Sequence, residues 1–320
     1  MRGGGPDAEA RAHGVPGAVC YTNAASDAGY ASALEDFMVD GPIVTYELEG
    51  DIALVGLNRD EFRNAINGEL LDLLRAAVER GNEEARAGVI FSHGEKHFSA
   101  GLDLADALAN RNRDEGDRPR RRRSKWHNTF DVISRSEIPW VAALKGATIG
   151  GGLELACAMH VRVADETTFF ALPEGQRGIF VGGGGSVNIQ RHLGYARMAD
   201  LMLTGRVLSA EEGERYNLVQ YVVPEGESLA KAKELAAKIA TNAPLTNWAI
   251  VSALPRIGEA PHDDGLFMES LVGPSIRSSH GTQRLQQFLD GTAKPLKEGT
   301  GGSAHPDAER IRQEREQAQQ

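Results

Sequence analysis

Two glutamates and two glycine-bearing turns are the residues of this chain whose types and spacing could do chemistry. In "KGATIGGGLELACAMH", Gly150, Gly151 and Gly152 stand before a small-residue apolar run, and Glu154 follows one leucine later. A glycine inside a helix costs about 1 kcal/mol relative to alanine. Three at a helix start therefore imply that bare backbone is needed, for close approach of a ligand or a neighbouring element. "VIFSHGEKHFSAGLDL" repeats the design, with Ser99, Ala100 and Gly101 between an apolar strand and a helix. The first N–H groups of a helix lack internal partners and sit at the positive end of its dipole. If the two turns converge, two backbone donors can grip one developing oxyanion. Glu174 in "FALPEGQRG" follows a strand and a proline, so its backbone is held in a turn. Paired carboxyl groups beside a carbonyl suit acid–base work, one activating water and one delivering a proton. The plainer alternatives are tight packing turns and surface glutamates; the link between the acids and the glycine turn favours the chemical reading.

The elements that must position these residues follow from pattern. Residues 1–40, rich in Gly, Ala and Asp, read as a flexible arm, and Met38, just before the first regular pattern, is a second possible start of translation. "IVTYELEG" and "IALVGLN" read as a hairpin turning at Glu49-Gly50-Asp51. Ile66, Leu70, Leu71, Leu73, Leu74, Ala77 and Val78 mark a helix. "AGVIFSHG", "WVAALKG", "HVRVAD" and "TFFALPE" read as strands, with a helix from about Trp126 to Ser134, before Pro139. From Gly178 the pattern is mostly helical, with one continuous stretch expected through "VNIQRHLGYARMADLMLTG" and later helices in "SAEEGERYN", "SLAKAKELAAKIATNAP", "NWAIVSALPRI" and "SSHGTQRLQQFLDG". The expected organisation is the arm, a core over 41–225, a helical region over 226–297 and a polar tail over 298–320.

The 320 residues suffice for a large core. A formal charge of −10 argues against a dedicated nucleic-acid binder. No apolar run is long enough to span a membrane, and no apolar leader opens the chain. Two cysteines are too few for a disulfide framework or a structural zinc site. These features predict a cytoplasmic protein with no metal centre.

Five stretches, "LNRDEFRNAI", "HFSAGLDL", "KGATIGGGLELA", "ALPEGQRGIFVGGGGS" and "LTGRVLSAEEGERYNLVQYVVP", occur in the order and spacing of the crotonase (enoyl-CoA hydratase/isomerase) superfamily, which the chain resembles over residues 42–297. The resemblance implies an α/β fold, a spiral of repeated ββα units, with C-terminal helices for assembly into a homotrimer or a dimer of trimers. It implies an acyl-CoA substrate, no cofactor beyond the substrate's own CoA moiety, and a place in fatty-acid and lipid metabolism. The amides of Leu102 and Gly151 match the family's oxyanion hole. Glu154 matches the acid that activates water toward C3, and Glu174 the acid that exchanges a proton at C2. Keeping both acids favours a hydro-lyase, an enoyl-CoA hydratase. The alternative is other crotonase chemistry on a CoA thioester: isomerisation, dehydration of a 3-hydroxyacyl-CoA, or hydration and cleavage of an aromatic acyl-CoA. A non-catalytic or RNA-associated relative is the third class. By the same matching, Phe62, Arg63 and Ala65 lie along the nucleotide, and Ala100, Asp103 and Leu104 border the pantetheine and adenine. A guanidinium suits a phosphate, although Arg63 also reads as a solvated charge and Asp103 as a helix cap.

The chain departs from the family in three places. His160 replaces a usual aspartate and reads as structural. "GIFVGGGG" lacks the common proline, with Val181 in its position. The run "DRPRRRRSKW" puts Arg118, Arg120 to Arg123 and Lys125 in the segment that covers the acyl pocket in relatives; a solvated loop is the favoured reading, ahead of CoA-phosphate attraction or RNA binding.

Overall fold

The computed structural model describes residues 42–111, 124–277 and 279–290. The expected N-terminal arm, the arginines of the basic run and the polar tail lie outside the described residues. Strands β1 (Val44–Glu49) and β2 (Ile52–Leu57) form the expected antiparallel hairpin, with Gly50 at φ 60° in its turn. Helix α1 (Gly68–Glu84) follows, its N-terminus capped by Asn67, whose Oδ1 accepts from the Leu70 N–H at 2.9 Å. Its Leu70, Leu71, Leu74, Ala77 and Val78 are buried, as their spacing dictates.

Three strand–strand–helix repeats build the rest of the core. They are β3 (Ala87–Ser92), β4 (His97–Ser99) and α2 (Leu104–Arg111); β5 (Trp140–Leu144), β6 (Ala147–Ile149) and α4 (Gly151–Ala158); and β7 (Val161–Asp165), β8 (Phe169–Ala171) and α5 (Glu174–Arg177). Between the first two runs α3 (Lys125–Ser134), capped by Ser124. The first strand of each repeat joins a six-stranded sheet of order β1-β2-β3-β5-β7-β10, with β10 spanning Tyr221–Val223, parallel apart from β1; the second joins a four-stranded sheet of order β4-β6-β8-β9, with β9 spanning Val207–Ser209. Each repeat thus advances the spiral by one strand. The strands do not run straight into the glycine turns as read from sequence: β4 and β6 intervene, each three residues long and too short to show periodicity. Because β4 pairs with β6 (His97 with Ala147, Ser99 with Thr148), the residues that leave them, Gly101-Leu102 and Gly150-Gly151, emerge side by side.

Helices α6 (Gly185–Leu193) and α7 (Tyr195–Thr204) replace the single helix expected there; Gly194, at φ 77°, breaks them. Strand β9 (Val207–Ser209), α8 (Ala210–Arg215) with its Ser209–Glu212 capping box, and β10 (Tyr221–Val223) complete the two sheets. Helix α9 (Ser228–Ala240) lays Ala232, Ala236 and Ala240 on the outer face of the large sheet, against residues that include Leu54, Val89, Val141 and Val163. Small side chains four residues apart share one helix face and let it approach closely. Both faces of the sheet are therefore covered, which explains why β2 and β5 are buried throughout. Four further helices follow: α10 (Pro244–Ser252), α11 (Leu254–Glu259), α12 (His262–Ser275) and α13 (Ser279–Leu289). Helix α12 has no counterpart in the sequence reading. Among the described residues no helix is long and apolar enough to cross a membrane.

Candidate active site

Two glycines adopt conformations that bring the turns into contact. Gly101 has φ 86°, and a Cβ there would lie 2.5 Å from the Ile149 carbonyl oxygen and 2.9 Å from the Gly151 nitrogen. Gly150 has φ 53°, and its missing Cβ would fall 3.0 Å from Glu174 Oε1. Flanking Leu102, Ile66 donates its N–H to the Gly101 carbonyl (2.7 Å) and accepts from the Asp103 N–H (3.0 Å). That bridge leaves the Leu102 N–H facing away from Ile66 and toward α4; its nitrogen is 3.5 Å from where a Gly151 Cβ would be. Gly151 is the first residue of α4, so its N–H has no partner within the helix. Neither N–H has an acceptor among the described residues. Two unspent donors side by side at a helix start are what a developing oxyanion requires.

Glu154, on the helix that Gly151 opens, and Glu174, against Gly150, are nearly inaccessible, at 3% and 5% exposure. Glu154 lies one turn into α4. Its Oε1 accepts from the N–H groups of Gly183 and Gly185, both at 2.8 Å, and its Oε2 from that of Gly182 at 3.4 Å. Gly185 is bare because it lies against this carboxyl: a Cβ there would be 2.7 Å from Glu154 Cγ. Glu174 opens the short helix α5 after Pro173, and its buried Oε2 has no hydrogen-bond partner among the described residues. Burial holds both carboxyls above the usual carboxylate range. The three backbone donors oppose this at Glu154; at Glu174 its own backbone N–H opposes it and the neighbouring Glu154 charge reinforces it. Burial thus dominates at both acids, and the glycine donors temper it at Glu154.

A model of the enoyl-CoA hydratase/isomerase family matches residues 47–276. The chain belongs to the enoyl-CoA hydratase/isomerase family. The enoyl-CoA hydratase EchA19 of Mycobacterium tuberculosis is 30% identical over 241 residues, covering 74% of this chain and 89% of that protein. The short-chain-enoyl-CoA hydratase of Clostridium acetobutylicum is 33% identical over 230 residues, covering 71% and 86%. A crystal structure of an enoyl-CoA hydratase candidate from Rhodopseudomonas palustris is 44% identical and superposes with a TM-score of 0.70, covering 79% of this chain and 96% of that one.

The residues matched to the CoA side of this enoyl-CoA hydratase/isomerase family member form a second group. Phe62 (55% exposed) and Arg63 lie on an exposed turn, with Arg63 at φ 55°. The Ala100 N–H donates to the Arg63 carbonyl at 2.9 Å, which joins this turn to residues 100–104. Asp103 accepts from the Ala105 and Asp106 N–H groups at 3.1 Å, capping α2, and from Arg59 at 2.8 Å; these donors hold its carboxyl below the usual range, the Asp106 N–H most of all. Arg59 also donates to the Ala65 carbonyl (2.8 Å) and lies 4.1 Å from the Phe62 ring centroid. It braces this edge, a role the sequence reading did not assign. Leu104 is about half exposed at the start of α2.

Two aromatic residues near the donors were also missed as site residues. Trp126 and Phe130, one turn apart on α3, meet edge to face at 5.6 Å between ring centroids. Their i, i+4 spacing was the available signal. His160 is structural: its Nδ1 accepts from the Trp140 N–H at 3.0 Å, and burial lowers its pKa to about 4.

Proposed function

We propose that the protein is an enoyl-CoA hydratase, a hydro-lyase that adds water across the C2–C3 double bond of a 2-enoyl-CoA thioester. What carries the reading is the nearness of two buried carboxyl groups to two unspent backbone N–H groups, Glu154 one turn along the helix that Gly151 opens and Glu174 against Gly150. The Leu102 and Gly151 N–H groups hold the thioester oxygen and stabilise the enolate that forms as C3 is attacked. Glu154, whose carboxylate form the glycine donors favour against its burial, takes a proton from the attacking water. Glu174 delivers the proton to C2; its raised pKa and partnerless oxygen support that direction of transfer. Phe62, Arg63, Ala65, Ala100, Asp103 and Leu104 border the CoA moiety in this reading, and no cofactor beyond CoA enters it. The assembly is a homotrimer or a dimer of trimers. A cytoplasmic setting is in keeping with the free, buried Cys157.

Crotonyl-CoA hydration, followed by the loss of the conjugated thioester's ultraviolet absorbance, tests the roles. Glu154→Gln and Glu174→Gln should each lower kcat by about 10²- to 10⁴-fold. Unchanged turnover in either folded variant would overturn the assignment.

A further inference from the structure

We propose that Trp126 limits the length of the acyl group, so that the site takes short 2-enoyl-CoA thioesters and turns away long ones. The proposal rests on the hydratase reading and names the substrate class of that same site. The six-membered edge of the indole lies against Gly151: Cζ3 and Cη2 are 2.5 and 2.7 Å from the point a Gly151 Cβ would occupy, and the Leu102 nitrogen is 3.5 Å from that point. The ring therefore sits against a donor residue itself, at the point where the Leu102 nitrogen also approaches it. A thioester oxygen held there brings the first acyl carbons alongside the indole.

Trp126 is also held in place from behind. It meets Phe130 edge to face, with planes at 81°, and Phe130 is buried in the core. The Phe130 ring closes on Gly183, where a Cβ would lie 2.6 Å from it, and the Gly183 N–H holds Glu154. The two rings thus lie against Gly151 and against the loop that holds Glu154, the two places between which C1 to C3 of the substrate are set in the hydratase reading. Ser124, the cap of α3, donates to the Gly182 carbonyl at 3.4 Å and ties the same helix to the glycine loop. Carbons beyond C3 must pass a half-buried indole fixed at both ends.

Binding of butyryl-CoA and decanoyl-CoA to the full chain, measured by titration calorimetry, tests this without turnover. The wild type should bind butyryl-CoA more tightly, and Trp126→Ala should shift the ratio of the two Kd values about tenfold toward decanoyl-CoA, with Trp126→Phe in between. Should the alanine variant fail to fold, Trp126→Leu takes its place. A wild type that prefers decanoyl-CoA, or a ratio unchanged in the folded variants, overturns the proposal. Hydration of crotonyl-CoA by the wild type is followed in parallel. If the binding ratio shifts while no enoyl-CoA is hydrated, the length limit stands and the hydratase reading falls.

Discussion

Glu154 accepts three backbone N–H bonds from the glycine loop, whereas Glu174 leaves one oxygen without a donor, and this difference has a thermodynamic consequence. A carboxyl whose folded pKa lies above its unfolded value binds its proton more tightly in the native state. Its contribution to stability is complete below the unfolded pKa, near 4.5, and is lost as pH rises through the raised folded value. Burial is the largest cause at Glu174, its own backbone N–H works against it and the Glu154 charge adds to it, so the preference of this buried group for its proton burdens the fold as pH rises above about 4.5. Glu174→Gln removes that burden. The variant and the wild type should melt together near about pH 4 and diverge above it, the variant having the higher Tm. Thermal melts across pH 4–8 check this; a Tm difference independent of pH would mean that charge burial is not what Glu174 contributes.

At the scale of elements, the glycine loop before α6 connects the acid to the wall of the site. A methyl group on Gly185 would collide with Glu154 Cγ and Oε1, at 2.7 and 2.8 Å. Gly185→Ala should therefore displace Glu154 while leaving the CoA edge at residues 62–65 and 100–104 intact. Steady-state kinetics should show kcat down by about 10-fold or more with KM little changed; a rise in KM alone would place the loop's role in binding. The four glycines are plain in the sequence, but the carboxyl that Gly182, Gly183 and Gly185 bond is not, because Glu154 is 28 to 31 residues away along the chain. The hairpin, α1 and the long strands were legible because their apolar spacing is strong and local. Strands β4 and β6 were not, since three residues cannot show an alternation, although their pairing is what joins the two turns. In the sequence Trp126 is the start of a helix beside the basic run; its place against Gly151 depends on how α3 packs.

At the scale of the whole molecule, α12 is the element that a single copy does not account for. It escaped the sequence reading because a helix normally announces itself by one buried stripe, and here only Gly265 is buried over its 14 residues. Leu266, Phe267 and Leu271 are exposed at 53%, 64% and 58%, and Phe267 and Leu271, four residues apart, share a face. Ile250 and Leu254, on and just after α10, are similarly open. A group of large exposed apolar side chains on neighbouring helices is the mark of a contact surface. In the proposed assembly, further copies of this chain cover it. Light scattering on the eluting protein should give three or six times the 34.4 kDa chain mass. Phe267→Glu combined with Leu271→Glu should reduce it to the mass of one chain, with the helical circular dichroism retained, because neither side chain supports the monomer's core. A wild type that elutes at one chain mass at micromolar concentration would overturn the assembly, and a double variant that still elutes as the oligomer would move the contact to another face.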